Sequence, residues 1–368
     1  MHLTRPTRTG YWVLAILVLA VLTPLLGLLD QTSITVNNSA NLPFWQSSYI
    51  QRVIFFSLWQ ALLSACLSII LALLVARALA HYGEFPFRGL LLRLFGLPLV
   101  VPSIVAVMGV VSVYGSNGWI PLGRSLYGLN GILLAHVFFN MPLAVRLLLP
   151  VWQSIPTHHW QMSEQLGFTR WQQWRHLEWQ ALRESLPGVS LLIFMLCLTS
   201  FAVVLTLGGG PKSTTLEVAI YQSLRFDFDL PRAVALALLQ LGLCLLVAWA
   251  SSLFHKLPDV EITLPNAQTN TQSTNRVLNS MIILVAVIFV SMPLVAMLID
   301  SINGSIIDVI KQPKLWLSAS LTLLIGLGAS SLAVIAGWLL LDTSSDLAVL
   351  GRKRKASLIE MLGSIVYV

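Results

Sequence analysis

Charge is what this sequence has least of. Asp, Glu, Lys and Arg make up 10% of its 368 residues, against roughly 25% in an ordinary soluble domain, and the mean hydropathy is +0.80. That excludes a water-soluble globular chain. Acids are the scarcer sign, 15 against 22 bases, and only Glu360 falls within an apolar run. Ion-coupled carriers rely on intramembrane carboxylates or broken helices, so the apparatus for ion coupling is nearly absent. The net charge of +7 is spread over loops between apolar runs rather than gathered on one face, which argues against a nucleic-acid partner. The three cysteines, Cys66, Cys197 and Cys244, lie in apolar runs without C-x-x-C spacing and read as small buried hydrophobes. No H-E-x-x-H or nucleophile elbow occurs. Around Lys212, Pro211 and Thr206 stand where a phosphate-binding loop needs glycines, and Pro211 lacks an N–H to offer phosphate. Neighbouring His158 and His159 project about 100° apart on a helix, which suits solvated or interface histidines better than a shared metal. The expectation is a chain with no catalytic residues, metal or cofactor of its own.

What is present is apolar length. Eight runs can each cross a bilayer as a helix, at about 11–29, 53–80, 89–113, 127–152, 187–208, 231–254, 278–299 and 316–341. A ninth starts near Leu358 and stops at Val368, so the chain is expected to be truncated at its C-terminus. The fold class is therefore all-α, a polytopic transmembrane helical bundle. The first run is too long for a signal h-region and lacks a small-x-small site, so it reads as a retained span. With the N-terminus in the cytoplasm, 15 of the 22 Lys and Arg face inward and 7 outward, as the positive-inside rule requires. A shift of 263 carries Ser57, Ala65, Cys66 and Ser68 onto Ser320, Gly328, Ala329 and Ser331, a weak internal repeat of small residues suited to close helix contact. The domains read as 1–52, a first helix and outer loop; 53–255, a first permease-like bundle; 256–315, a polar cytoplasmic linker and lone span; and 316–368, an incomplete second bundle.

One segment, Thr157 to Pro187, does not look like membrane. Thr157 to Leu166 reads as a short helix, Gly167 as its left-handed cap, and Thr169 with Gln172 as a capping box that opens a second helix. On that helix Trp171, Trp174, Leu177 and Ala181 form an apolar face, with Arg170, Arg175, Glu178, Arg183 and Glu184 mostly off it. A structured loop of this length points to docking on another protein. In the apolar runs, His136 and Asn140 lie one helical turn apart at membrane depth, suited to helix-to-helix hydrogen bonds or to a transport path. Pro98, Pro102 and the stretch Ser200 to Gly210 are places where helices can break.

The 157–187 segment resembles the coupling loop of binding-protein-dependent ABC importer permeases, whose pattern is Glu-Ala-Ala, three residues, Gly, and then hydrophobic-x-Leu-Pro. Here it reads Gln161-Met162-Ser163, Gly167 and Leu177-x-Trp179-Gln180; Gly167 and Leu177 keep the pattern, and the family glutamate maps to Gln161. The run Ser200 to Pro211 with Thr214 to Gln222 looks like the thiamine permeases of that family, a form the ferric-iron permeases share. Leu177-Glu178-Trp179 and Phe194 to Cys197 favour the thiamine branch. The resemblance implies a MetI-like fold with two complete halves in a longer chain. It implies a multi-pass subunit in a bacterial inner membrane, in contact with membrane lipid. Its partners would be a cytoplasmic ABC ATPase, working as a dimer, and a periplasmic thiamine-binding protein. Gln161, Met162, Ser163, Glu164, Leu166, Gly167, Trp171 and Trp174 would form the ATPase-coupling loop. His136, Asn140, Ser200, Phe201, Thr206 and Tyr221 are candidates for the translocation path, with Phe201 or Tyr221 able to stack on a thiazolium. Ferric iron is the chief rival substrate, and an ATP-independent carrier or channel the rival class.

Overall fold

Twenty apolar residues wound as a helix cover about 30 Å, the thickness of the hydrocarbon core, and the long runs do fold as helices of that scale. The computed structural model describes residues 10–20, 23, 27, 47–82, 85–252, 276–303 and 309–349. Among them the secondary structure is helical, with no strand. Six helices are long and apolar enough to cross a membrane, or seven if one bent pair counts as a span. The chain divides into two compact units, Leu42–Asn303 and a second made of Met1–Asn41 with Gly304–Val368.

In the first unit, α2 (Ser48–Tyr82) carries Ser57, Ala61, Ser64, Ala65, Ser68, Ala72 and Ala76 as a buried stripe at intervals of three and four. Small side chains there let α6 (Leu129–Gln153) and α9 (Trp179–Leu198) approach closely; the three helices share one apolar cluster with Ala61, Ala72, Ala144, Val145, Val189 and Ile193 fully enclosed. α3 (Arg88–Leu94) and α4 (Leu97–Val100) lead into α5 (Ser103–Tyr114). The predicted single span at 89–113 is a broken one: the Arg88–Val100 stretch and α5 are bent by 111°, where Val101 is extended before Pro102, as the residue preceding a proline prefers. The predicted span at 187–208 differs as well. A continuous helix Arg170–Leu198 runs through Pro187 and joins α8 (Arg170–Gln173), a π turn at Trp174–Glu178 and α9. It stops at Leu198, and α10 (Phe201–Leu207) starts anew after an extended Ser200. α11 (Leu216–Arg225), α12 (Leu230–Ser252) and the lone span α13 (Arg276–Asn303) complete the unit. α13 presses on α5 so closely that a Cβ on Gly109 would lie 2.5 Å from the Pro293 carbonyl oxygen.

In the second unit, α1 (Gly10–Ala20) meets α14 (Pro313–Val349) at Gly10, where a Cβ would collide with the Thr343 hydroxyl. The shift of 263 carries α2 onto 311–345, within two residues of the start of α14 and four of its end. The polar linker expected at 256–275 and the ninth run lie outside the described residues, as does part of the first run.

Candidate functional site

The segment after α6 begins with α7 (Thr157–Gln165). It ends at Gly167, whose φ of 67° no side chain adopts cheaply. The Gly167 N–H donates to the Glu164 carbonyl at 3.0 Å and the Phe168 N–H to the Ser163 carbonyl at 2.9 Å, the pair of bonds that closes a Schellman cap. The next helix opens with the expected capping box: the Thr169 N–H donates to Gln172 Oε1 at 2.7 Å and the Gln172 N–H to Thr169 Oγ1 at 3.4 Å. Helix, glycine, helix is thus built from local bonds.

Its two faces differ. Trp160 and Ser163 point inward; the Ser163 hydroxyl donates to the Trp160 carbonyl and accepts from Gln173 Nε2. Outward stand Gln161, Glu164 and three apolar side chains around the glycine: Met162 at 54% exposure, Leu166 at 67% and Trp171 at 65%. Trp174 is half-buried and stacks between Trp171 and Trp179, with ring centroids 5.1 and 5.6 Å away. Of the eight residues singled out for coupling, the structure therefore brings six to one exposed knob and turns Ser163 inward to hold it. The His158 and His159 rings lie against each other, centroids 4.2 Å apart, closer than the projection angle suggests.

Glu178 sits apart from its predicted place. It is fully buried, not off the packed face. Arg77 of α2 grips it with two bonds, Nε to Oε2 at 2.6 Å and Nη2 to Oε1 at 2.8 Å. Trp152 Nε1 of α6 donates to Oε2 at 2.9 Å, and His81 Nε2 lies 3.3 Å from Oε1. The His81 ring also meets the Trp160 ring edge-on at 5.3 Å, which ties α7 to the same point. The signal was present in the sequence. Read through Leu198 as one helix, Glu178 falls in line with Leu182, Ser185, Val189 and Ile193, all buried except at most 8% of Ser185; ending the segment at Pro187 hid that line.

The six candidate path residues fall in several local settings. His136 and Asn140 belong to the seam of α2, α6 and α9: His136 Nδ1 is 2.8 Å from Ser64 Oγ, and Asn140 Nδ2 donates to Cys197 Sγ at 3.1 Å. Gln60 Nε2 joins them by donating to the Cys197 carbonyl at 3.1 Å. Phe201 and Tyr221 form an edge-on pair at 5.3 Å, while Thr206 bonds back to its own helix at Ala202 and Ser200 precedes α10. A cavity of 610 Å³ lies elsewhere, between α2, α6 and α13, walled by apolar groups such as Leu71, Leu133, Met141, Met281 and Phe289. On α11, burial pushes the Glu217 carboxyl above its ordinary range, and Gln240 Nε2 of α12 donates to it at 3.3 Å.

Residues 68–257, which hold α6 through α12 and the whole knob, match the family described as binding-protein-dependent transport system inner membrane component. The chain belongs to this family. Among curated members, the thiamine transport system permease protein ThiP of Brucella abortus (strain 2308) is 44% identical over 299 residues, 78% of this chain and 55% of that protein. ThiP of Escherichia coli (strain K12) is 42% identical over 333 residues, 88% of this chain and 62% of its own length. This family member therefore spans a little over half the length of those relatives. A solved bacterial ABC transporter involved in import of the acidic polysaccharide alginate shares the fold, with a TM-score of 0.51 at 16% identity, covering 66% of this chain and 95% of the other. As a family member with several apolar helices, the chain is a multi-pass membrane protein and a transport component.

Proposed function

We propose that this chain is the membrane-spanning permease subunit of an ATP-driven ABC importer that moves thiamine or its phosphates from periplasm to cytoplasm. It works in the bacterial inner membrane with its N-terminus in the cytoplasm, beside a separate ATPase dimer and a periplasmic thiamine-binding protein. The observation that carries the reading is the knob: Met162, Leu166 and Trp171 are exposed around Gly167 on a segment continuous with a membrane helix. An apolar, locally capped helical projection is what a partner groove accepts, and its continuity with Arg170–Leu198 gives a partner's movement a route into the bilayer. The thiamine assignment leans on the ThiP relatives.

The test is co-purification with the ATPase and binding protein, reconstitution in liposomes, and uptake of labelled thiamine with and without ATP. Gly167→Asp is expected to keep membrane insertion and lose ATP-dependent uptake, because it puts a charge in the middle of the exposed apolar knob of Met162, Leu166 and Trp171, with a smaller cost from a side chain at φ 67°. Uptake of ferric iron instead of thiamine would reassign the substrate, and uptake without ATPase would replace the importer by a carrier or channel.

A further inference from the structure

We infer that Glu178 is a positioning residue that carries displacement of the 157–178 segment into the membrane, by riveting it to α2 and α6; this rests on the importer reading above. A carboxylate ordinarily avoids full burial, and one placed there must have its oxygens satisfied. Here both oxygens are, each by two contacts, and the donors come from two other helices: Arg77 and His81 from α2, Trp152 from α6. An ionised carboxylate only accepts, so His81 Nε2 carries the proton in its contact. The bidentate Arg77 pair fixes orientation as well as distance. Through His81 and Trp160 the hold extends to α7, on the far side of Gly167.

A second rivet lies at the other end of the same helix. Cys197 receives Gln60 of α2 on its carbonyl and Asn140 of α6 on its sulfur. Glu178 and Cys197 are 19 residues apart in one continuous helix, about 28 Å of length. One helix pinned to the same two neighbours at both ends, with small residues packed between, moves with them as one body. The freedom needed for a gate is then left to the breaks beyond it, at Ser200 and around Pro102.

The experiment uses the assembled transporter in proteoliposomes and compares wild type with Glu178→Gln and Trp152→Phe, the second a milder loss of one donor. Three quantities are read: thiamine uptake, ATP hydrolysis, and the spin-label distance between Gln165 on the knob and Ser47 before α2. Glu178→Gln is expected to keep hydrolysis within twofold and lower uptake at least tenfold, with a broadened distance distribution; Trp152→Phe should do the same to a lesser degree. A purely structural role would lower uptake and hydrolysis in parallel, and that result overturns the inference, as does unchanged uptake in Glu178→Gln. If Glu178→Gln does not insert, the uptake-to-hydrolysis ratio of Trp152→Phe decides: a fall supports the rivet, no change overturns it. If wild type shows no ATP-dependent uptake, the importer reading fails by itself, and the distance distribution still decides the rivet: broadening in the variants supports it, identity with wild type overturns it.

Discussion

α2 and α14 are the same idea folded into different surroundings. Both are long apolar helices, 35 and 37 residues, related by the shift of 263, and both carry small residues at matched places. Yet half of the most apolar window of α2 is buried and none of the window of α14 is. The residues that differ explain why. Gln60, Ser64 and Arg77, which bond α2 to its neighbours, correspond to Leu323, Leu327 and Leu340. Small residues permit close contact on either helix; at these three places the hydrogen-bonding group stands on α2 and a leucine stands on α14. Close approach is thus a property of the repeat, and attachment at these three places is a property of the first copy.

The sharpest way to break this difference is to give α2 the leucine of its counterpart. Arg77→Leu leaves the fully buried Glu178 without its main partner; with the Arg77 side chain itself 40% exposed, the cost falls toward or below the lower end of the roughly 3–5 kcal/mol for breaking a fully buried pair. The melting temperature in detergent should fall by the largest amount of any change proposed here, whereas Leu340→Ala in α14 should cost less. Next comes Ser64→Leu. Ser64 is fully enclosed, so a leucine overfills the seam at about 1–3 kcal/mol and deprives His136 of its hydroxyl partner. Leu327 is 69% exposed, and its replacement by alanine should change the same melting temperature little.

Much of this was legible beforehand. The Gly167 cap and the Thr169–Gln172 box are set by bonds within a few residues, so local sequence suffices to predict them. Membrane runs follow from composition, and they failed where a break depends on backbone geometry: Pro102 bends its run, and Pro187, well inside the continuous helix Arg170–Leu198, does not. Glu178 was misplaced for a different reason. Its buried line with Leu182, Ser185, Val189 and Ile193 shows only when the helix is read past Pro187, and the identity of its partner Arg77, 101 residues away, is what no helical period reports. The path candidates are set by different neighbours, His136 and Asn140 by Ser64 and Cys197, Phe201 and Tyr221 by each other, and residue type alone does not report such neighbours.

The smallest effects test the packing half of the comparison with glycines. Gly109 faces the Pro293 backbone, and a Cβ there must displace it, so Gly109→Ala should cost about 1 kcal/mol or more. Gly328 on α14 has nothing within 4 Å of the place a Cβ would take, so alanine there gains only helix propensity, stabilising by about 0.8–1 kcal/mol. Melting temperature in detergent measures both. Opposite signs would hold the contrast between a packed copy and an open one. A loss at Gly328 would mean that in solution this small-residue face of α14 is covered by a close neighbour, and that the second copy, too, uses its small residues for contact.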